Sequence, residues 1–494
     1  VWRRKIYPQY KEHRIKCKEG VGPFIKVLNE RYHKYFKHTI RVDGCEADDI
    51  IFTLVQLFNA INSNVEIYII SNDSDYEQIA IDYKIHLINP NKFVEIEIKE
   101  PIKYLKNKIR KGDKCDGIPA AKGIASKIRL NRQLIDLTYM PRKYQDDIIK
   151  NLVGSNILKY EDVPSNFRPE SIQLGLCCMN TILCGENPKI FCSRKPILAT
   201  VKKEGIKYLK QKALENCADL ERMLHWNAKN GIRVMRISSD LFPHISNVKV
   251  KSKQRQEKNP RSLAYSLNFA KKVLAKIGRV ARLYKIRLTF HPSQFNNLGT
   301  MNPSVLTNTI IDLRYQARVL DMLGVDQNGV MVIHGGGLYD SKSASIDRWI
   351  ENYRVLPKTV KRRLVLENDE RYFSIEDCLN VSKIINIPIV FDTHHYAIYN
   401  ILHPDEKFKY PEQYIESILD TWKMKNIKPK FHVSQQLEKA RLGAHSDFIE
   451  KIPDYLLNIP KKYNVDIDIM IEAKMKEQAI YHLYELYPEI NPLI

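Results

Sequence analysis

No hydrophobic run in this 494-residue sequence approaches the roughly 18 apolar residues that a membrane span requires. A membrane is therefore not expected among its partners. The opening residues, Val1-Trp2-Arg3-Arg4-Lys5, lack the apolar core of a secretion signal. Cysteine is sparse, with nine residues, an odd number, and no Cys-x-x-Cys pair. Neither a disulfide framework nor a zinc ribbon is indicated, and a reducing, intracellular compartment is expected. No internal repeat or low-complexity tract is present. A methionine start is lacking too, and with valine at position 1 the expectation is a sequence that begins inside a longer chain.

What the sequence does carry is positive charge. Its formal net charge is +22, in a chain that is 44% hydrophobic and 28% charged. That composition is globular, and the excess of Lys and Arg favours a polyanionic partner, because clustered cations release counterions from phosphates. The length suffices for two or three domains, for instance a barrel of about 250 residues or more plus a smaller unit.

The strongest pattern lies in the second half. The apolar run Ile387-Pro388-Ile389-Val390-Phe391 ends abruptly in Asp392-Thr393-His394-His395. A short, β-branched run of this kind reads as a buried strand with polar groups at its C-terminal tip. Similar runs close on His291, His334 and Glu367, and others precede Asp240 to His244, His432 and Glu472. With the run Ile172 to Cys178 they make eight strands alternating with helical stretches, the pattern of a (β/α)8 TIM barrel, whose active site lies at the C-terminal strand ends. Mixed imidazole and carboxylate tips suit manganese or zinc, and so many donors suggest two or three ions.

The first third reads differently. Its opening is basic and rich in aromatics, and carboxylates then recur at element ends as Glu46-Ala47-Asp48-Asp49, Asp73-Ser74-Asp75 and Asp113 with Asp116. Hard oxygen donors in pairs suit a two-ion magnesium site. A charged, proline-punctuated stretch around residue 168 reads as a linker, dividing the chain into residues 1–167 and 168–494. The basic run Val248 to Pro260 reads as a flexible loop.

Both segments resemble known families. The acidic motifs of residues 1–167, followed by Lys122-Gly123-Ile124, are similar to those of the 5′ nuclease superfamily of flap endonucleases and phage RNase H. That resemblance implies an α/β, PIN-like 5′-3′ exonuclease fold, and magnesium ligation by Asp48, Asp49, Asp73, Asp75, Asp113 and Asp116. It also implies phosphate contacts from Lys11 and Arg14, substrates with 5′ flaps or nicks, and a phage or viral source. In the second segment, Leu174-Gly175-Leu176-Cys177-Cys178-Met179-Asn180, Arg236 to His244, His291-Pro292-Ser293-Gln294-Phe295, Leu366-Glu367-Asn368-Asp369, Lys430-Phe431-His432 and Gly443-Ala444-His445 together resemble the UV damage endonuclease family. Such enzymes are monomeric barrels that nick double-stranded DNA 5′ to photoproducts with divalent ions, typically manganese. The resemblance implies His244, His291, His334, Glu367, Asp392, His395, His432, His445 and Glu472 as ligands, with Lys430, His334 and Glu367 as catalytic groups. It further implies Gln294 and Phe295 as a wedge in the duplex, and Asn180 with Leu176 as lesion contacts. By the same match His394 is a packing residue.

Three alternatives stay open at this point. An abasic-site endonuclease would share the barrel and metals. A metal-dependent sugar isomerase would share the strand tips but has no use for the charge. The first segment, for its part, could be a DNA-binding arm without catalysis.

Overall fold

The computed structural model describes residues 1–12, 38–164, 167, 171–250 and 263–493. Arg14 and most of the basic run ending at Pro260 lie outside the described residues. The chain divides into two compact units, Val1–Pro169 and Glu170–Ile494.

The larger unit is a closed barrel of eight strands: β4 (Ile172–Cys177), β5 (Val234–Ile237), β6 (Arg287–Phe290), β7 (Met331–His334), β8 (Leu364–Glu367), β9 (Ile389–Asp392), β10 (Lys430–Val433) and β11 (Ile467–Ile471). Neighbours pair in parallel all the way round, β11 returning to β4. Helices cover the outside, and the strands are buried apart from half-buried Arg236, Arg287 and His334. Every residue of β8 to β11 is buried, which is why these segments are nearly continuous Val, Ile, Leu and Phe instead of alternating. The register sets the functional end. His334 lies opposite Glu367 across β7 and β8, and Asp392 opposite His432 across β9 and β10.

The helix Lys271–Leu283 packs against the helix Pro303–Leu323 closely enough that a Cβ on Gly278 would lie 1.6 Å from the Leu323 carbonyl oxygen. Only glycine fits there. The second of these helices follows the His291 loop and fixes it, as described below.

In the smaller unit, β1 (Tyr68–Ile70) and β2 (His86–Asn89) are parallel, and β3 (Val94–Glu95) adds antiparallel. Trp2, Leu57, Met140, Ile148, Leu152 and Phe167 form one apolar core beside the sheet. The apolar run Val65 to Ser71 is strand only in part. Only three residues are strand, and of these only Ile69 is buried, while Tyr68 and Ile70 are exposed. Among the described residues β1 pairs on one side only and its outer face has no layer packed on it, so period-two alternation replaces full burial. The helix Ala47–Ile61 begins as the acidic motif predicts, with a reciprocal capping box between Glu46 and Asp49.

Candidate metal centre and DNA-contact residues

Glu367, at the tip of β8, is the hub of the barrel's open end. Its side chain is fully buried. One carboxylate oxygen, Oε2, accepts from His291 Nε2 at 2.8 Å and lies 3.6 Å from His334 Nε2. The other, Oε1, is 2.6 Å from His432 Nδ1 but off the line of a hydrogen bond, and neither atom has another bonding partner. Two sets of donor atoms lie within 4.8 Å of one another, His291 with Glu367 and His432, and His334 with Glu367 and His395. Glu367 is common to both.

Several donors here are buried and unsatisfied: His334 Nδ1, both ring nitrogens of His432, Glu367 Oε1 and Asp392 Oδ2. Buried polar atoms are seldom left so, and imidazole with carboxylate is a donor set for manganese or zinc. The residues present therefore fit divalent ions. Neighbouring backbone groups aim the side chains. His395 Nδ1 donates to the Asn368 carbonyl at 3.0 Å, and Asp392 Oδ1 accepts from the backbone N–H groups of His394 and His395, which leaves Oδ2 turned away from them.

The electrostatics are those of a dry, crowded site. Burial pushes His334 down to about 4. It also lowers His395, but Asp392, Glu367 and Glu370 outweigh it and raise that ring to about 9. Burial raises Asp392 to about 7, against the pull of His395 and with the push of Glu367. Glu472 is held well below the usual carboxylate range because Arg236, 2.5 Å from Oε1, outweighs its burial. Lys430 is fully buried, its Nζ donating to Thr289 Oγ1 at 3.0 Å, and burial together with Arg287 lowers it to about 7.

Other expected residues fall elsewhere. His244 Nε2 donates to the Pro196 carbonyl at 2.6 Å, and Nδ1 accepts from Asn247 at 3.1 Å, so both nitrogens are already used. It lies outside both donor sets in this arrangement. His445 packs edge-on to His394, ring centroids 5.7 Å apart, and is outside both donor sets, while His395 is inside one. Leu176 and Asn180 are fully buried, and Asn180 Oδ1 caps a short helix by accepting from Leu183 N–H. Both side chains are packed against protein in this arrangement, Leu176 in the core of the barrel unit. The exposed side chains of that turn are Met179 and Ile182.

Gln294 and Phe295 are at the surface, and Phe295 is 78% exposed. So large an apolar side chain in water calls for a reason, and the loop beneath it is rigidly tied. Asn296 donates to Asp312 Oδ2 at 3.0 Å, and the buried Asp312 carboxylate also accepts from Ser246 and Gln316. Next along, Asn297 receives a bond from Gly299 N–H and donates to Tyr339, with Gly336 packed where a Cβ would come within 2.5 Å of its amide. Asp312 went unnoticed in sequence, and Arg236 stood there only as the start of a motif, with no role of its own. Adjacent amides at 296 and 297 after an exposed aromatic were the one available signal.

In the smaller unit most of the motif carboxylates have a cation beside them. Arg3, buried, donates to Glu46 at 2.9 Å, Asp49 at 3.0 Å and Asp48 at 3.2 Å. Asp49 Oδ2 also accepts from the Trp2 indole and from Glu46 N–H, while its Oδ1 is buried without a hydrogen-bond partner. Lys11 pairs with Glu46 and Asp116. Lys108 bridges Asp75 and Asp113, and Asp73 Oδ1 caps the turn that follows it by accepting from Asp75 N–H. Glu46, Asp48 and Asp49 do bring donor atoms within 4.8 Å of one another, but around a guanidinium.

Eight parallel strands with histidine and carboxylate groups gathered at their C-terminal tips define a TIM barrel with a candidate metal centre at its functional end. Residues 172–493 match the family described as UV-endonuclease UvdE, and residues 1–109 match the 5′-3′ exonuclease N-terminal resolvase-like domain. The chain belongs to the UV-endonuclease UvdE family. A putative UV-damage endonuclease of Acanthamoeba polyphaga mimivirus is 36% identical over 322 residues, 65% of this chain and 92% of that one. The UV-damage endonuclease of Schizosaccharomyces pombe is 34% identical over 330 residues, 65% of this chain and 51% of that one. Among solved structures, SacUVDE is 26% identical with a TM-score of 0.53, covering 65% of this chain and all of its own. No helix among the described residues is long and apolar enough to cross a membrane.

Proposed function

We propose that the barrel nicks double-stranded DNA on the 5′ side of a UV photoproduct, using divalent ions, manganese first, held by His291, His334, Glu367, His395 and His432 with Asp392 and Glu472. The supporting observation is the set of buried, unpartnered donors around Glu367, beside His291, whose loop also presents Phe295. When bound, the ions supply an activated water and offset charge on the phosphate under attack. Everything else is positioning by the chain. Asn368 and the backbone of residues 394 and 395 hold the His395 and Asp392 donors in place. Lys430, kept partly neutral by burial, lies among these strands within reach of the same chemistry. Phe295 enters the base stack and Gln294 fills the space vacated by a displaced lesion, both on a loop that Asp312 keeps from yielding.

Three duplexes test this reading, one with a cyclobutane dimer, one with an abasic site and one undamaged, each incubated with the protein and manganese. The dimer strand is expected to be cut directly 5′ to the lesion. Phe295→Ala is expected to slow that cut about 5- to 100-fold, the value of one base stack of about 1–3 kcal/mol, with bound manganese unchanged. Equal cutting of dimer and abasic strands, both indifferent to Phe295→Ala, would favour the abasic-site reading instead.

For the smaller unit we propose removal of the 5′ flap that carries the lesion after nicking, with magnesium as its ion. The pairing of its carboxylates with Arg3, Lys11 and Lys108 favours a second reading, a DNA-binding arm without catalysis. Asp73→Ala with Asp75→Ala separates the two. Loss of flap removal from a pre-nicked duplex supports the nuclease, and unchanged removal supports the arm.

A further inference from the structure

We propose that the barrel carries a second polyanion site, at the end opposite the histidine cluster, that binds a short run of phosphate groups. A groove of about 460 Å³ there is lined by Arg354, Lys358, Lys361, Arg362 and Lys425, with Ile384 on one wall and no carboxylate among its lining residues. Arg354 ends the helix Lys342–Arg354, and Lys358 and Lys361 belong to the short helix that leads into β8. Ile384 closes the helix Ile375–Ile385 before β9, and Lys425 follows the helix Ile415–Lys423 before β10. The groove therefore faces the N-terminal ends of β8, β9 and β10, whereas Glu367, Asp392 and His432 are at or near their C-terminal ends. Four residues at about 3.3 Å each put roughly 13 Å of strand between the two ends, before any side chain is counted. One phosphate cannot touch both.

Cations at helix C-termini are favoured by the helix dipole, and that accounts for part of the set. Lys361 donates to the Arg354 carbonyl at 2.9 Å, and Arg362 pairs with Asp321. Arg354, Lys358 and Lys425 have no carboxylate within ion-pair distance among the described residues. Like charges around a shared void repel, and an anion in the void turns that repulsion into attraction. The chemistry is that of phosphate groups, whether on a nucleic-acid strand or as free polyphosphate. The site is independent of the nicking reading, since it uses none of those residues and needs no metal.

The test uses the full chain with Arg354→Gln, Lys358→Gln and Lys425→Gln combined, in chelator-treated buffer, against two probes. One is a fluorescent single-stranded oligonucleotide read by anisotropy, the other inorganic tripolyphosphate read by calorimetry. An unchanged melting curve checks that the variant folds. Wild type is expected to bind tripolyphosphate at least tenfold more tightly than the variant. If the strand is a natural occupant, the salt slope of oligonucleotide binding falls by about 2 on losing three contacts. Loss confined to tripolyphosphate upholds the site and identifies free polyphosphate as its occupant. Loss confined to the oligonucleotide upholds it for a strand backbone, and loss of both makes phosphate itself the recognised group. Equal binding of both probes by wild type and variant overturns the proposal.

Discussion

Glu367→Gln is expected to slow nicking by about 10³-fold or more and to strip most of the manganese from the barrel. The carboxylate is the only group shared by both donor sets, with one oxygen facing His291 and His334 and the other facing His432. Glutamine preserves the volume and one acceptor but removes the charge, and it turns an amide N–H₂ toward a nitrogen or an ion. A shared ion-stabilising group worth several kcal/mol in the transition state corresponds to about three orders of magnitude at 1.36 kcal/mol per factor of ten. Metal content measured by mass spectrometry and single-turnover cutting of the dimer duplex check it together. Near-wild-type cutting with full metal content would remove Glu367 from the centre of the mechanism. The side chain is encased by β8 and its neighbours, so the substitution tests the charge and leaves the barrel standing.

The barrel was legible in sequence because each buried parallel strand writes the same word, a β-branched run that stops at a polar residue. All eight such runs are strands, most of them a residue or more shorter at an end, as where β6 stops at Phe290 and His291 begins the loop. What a one-dimensional pattern cannot carry is the direction of a side chain. His244 follows a strand as His291 does, yet a left-handed backbone at φ 57° turns it toward Pro196 and Asn247. Asn180, a DNA contact by the resemblance of its motif, here caps a helix, a use that the motif does not reveal. Asp312 was invisible for the opposite reason. It lies in mid-helix with no motif, and only the fold carries it to Ser246 and Asn296.

The acidic motifs of the smaller unit were legible as positions and not as partners. The sequence shows carboxylates at element ends, which a pair of magnesium ions would explain. In three dimensions Arg3, from the first turn of the chain, reaches across more than forty residues to three of them, and Lys108 comes from a separate helix to two more. Nothing local predicts either approach, because both depend on how helices close around the sheet.

Arg3→Met is therefore expected to unfold the smaller unit selectively, at a cost of about 3–5 kcal/mol, the usual penalty for leaving buried charges without their partner. The guanidinium donates to Glu46, Asp48, Asp49 and the Leu134 carbonyl, and methionine fills much of its volume while satisfying none of them. The loss should depend on pH in a defined direction. Asp48 is raised to about 7 by burial even with Arg3 pulling it down, and removing Arg3 raises it further. A carboxyl whose folded value exceeds its unfolded one of about 3.9 favours the folded state at low pH and loses that support as pH rises through the folded value. The variant is accordingly expected to be least stable at pH 8 and to recover part of the loss by pH 5. Hydrogen exchange of the helices Ala47–Ile61 and Arg142–Gly154, set against barrel strands β8 to β10 in the same molecule, reads it directly. Exchange in those helices that matches wild type, or a loss that grows on acidification, would show that Arg3 is not what holds the acidic residues together.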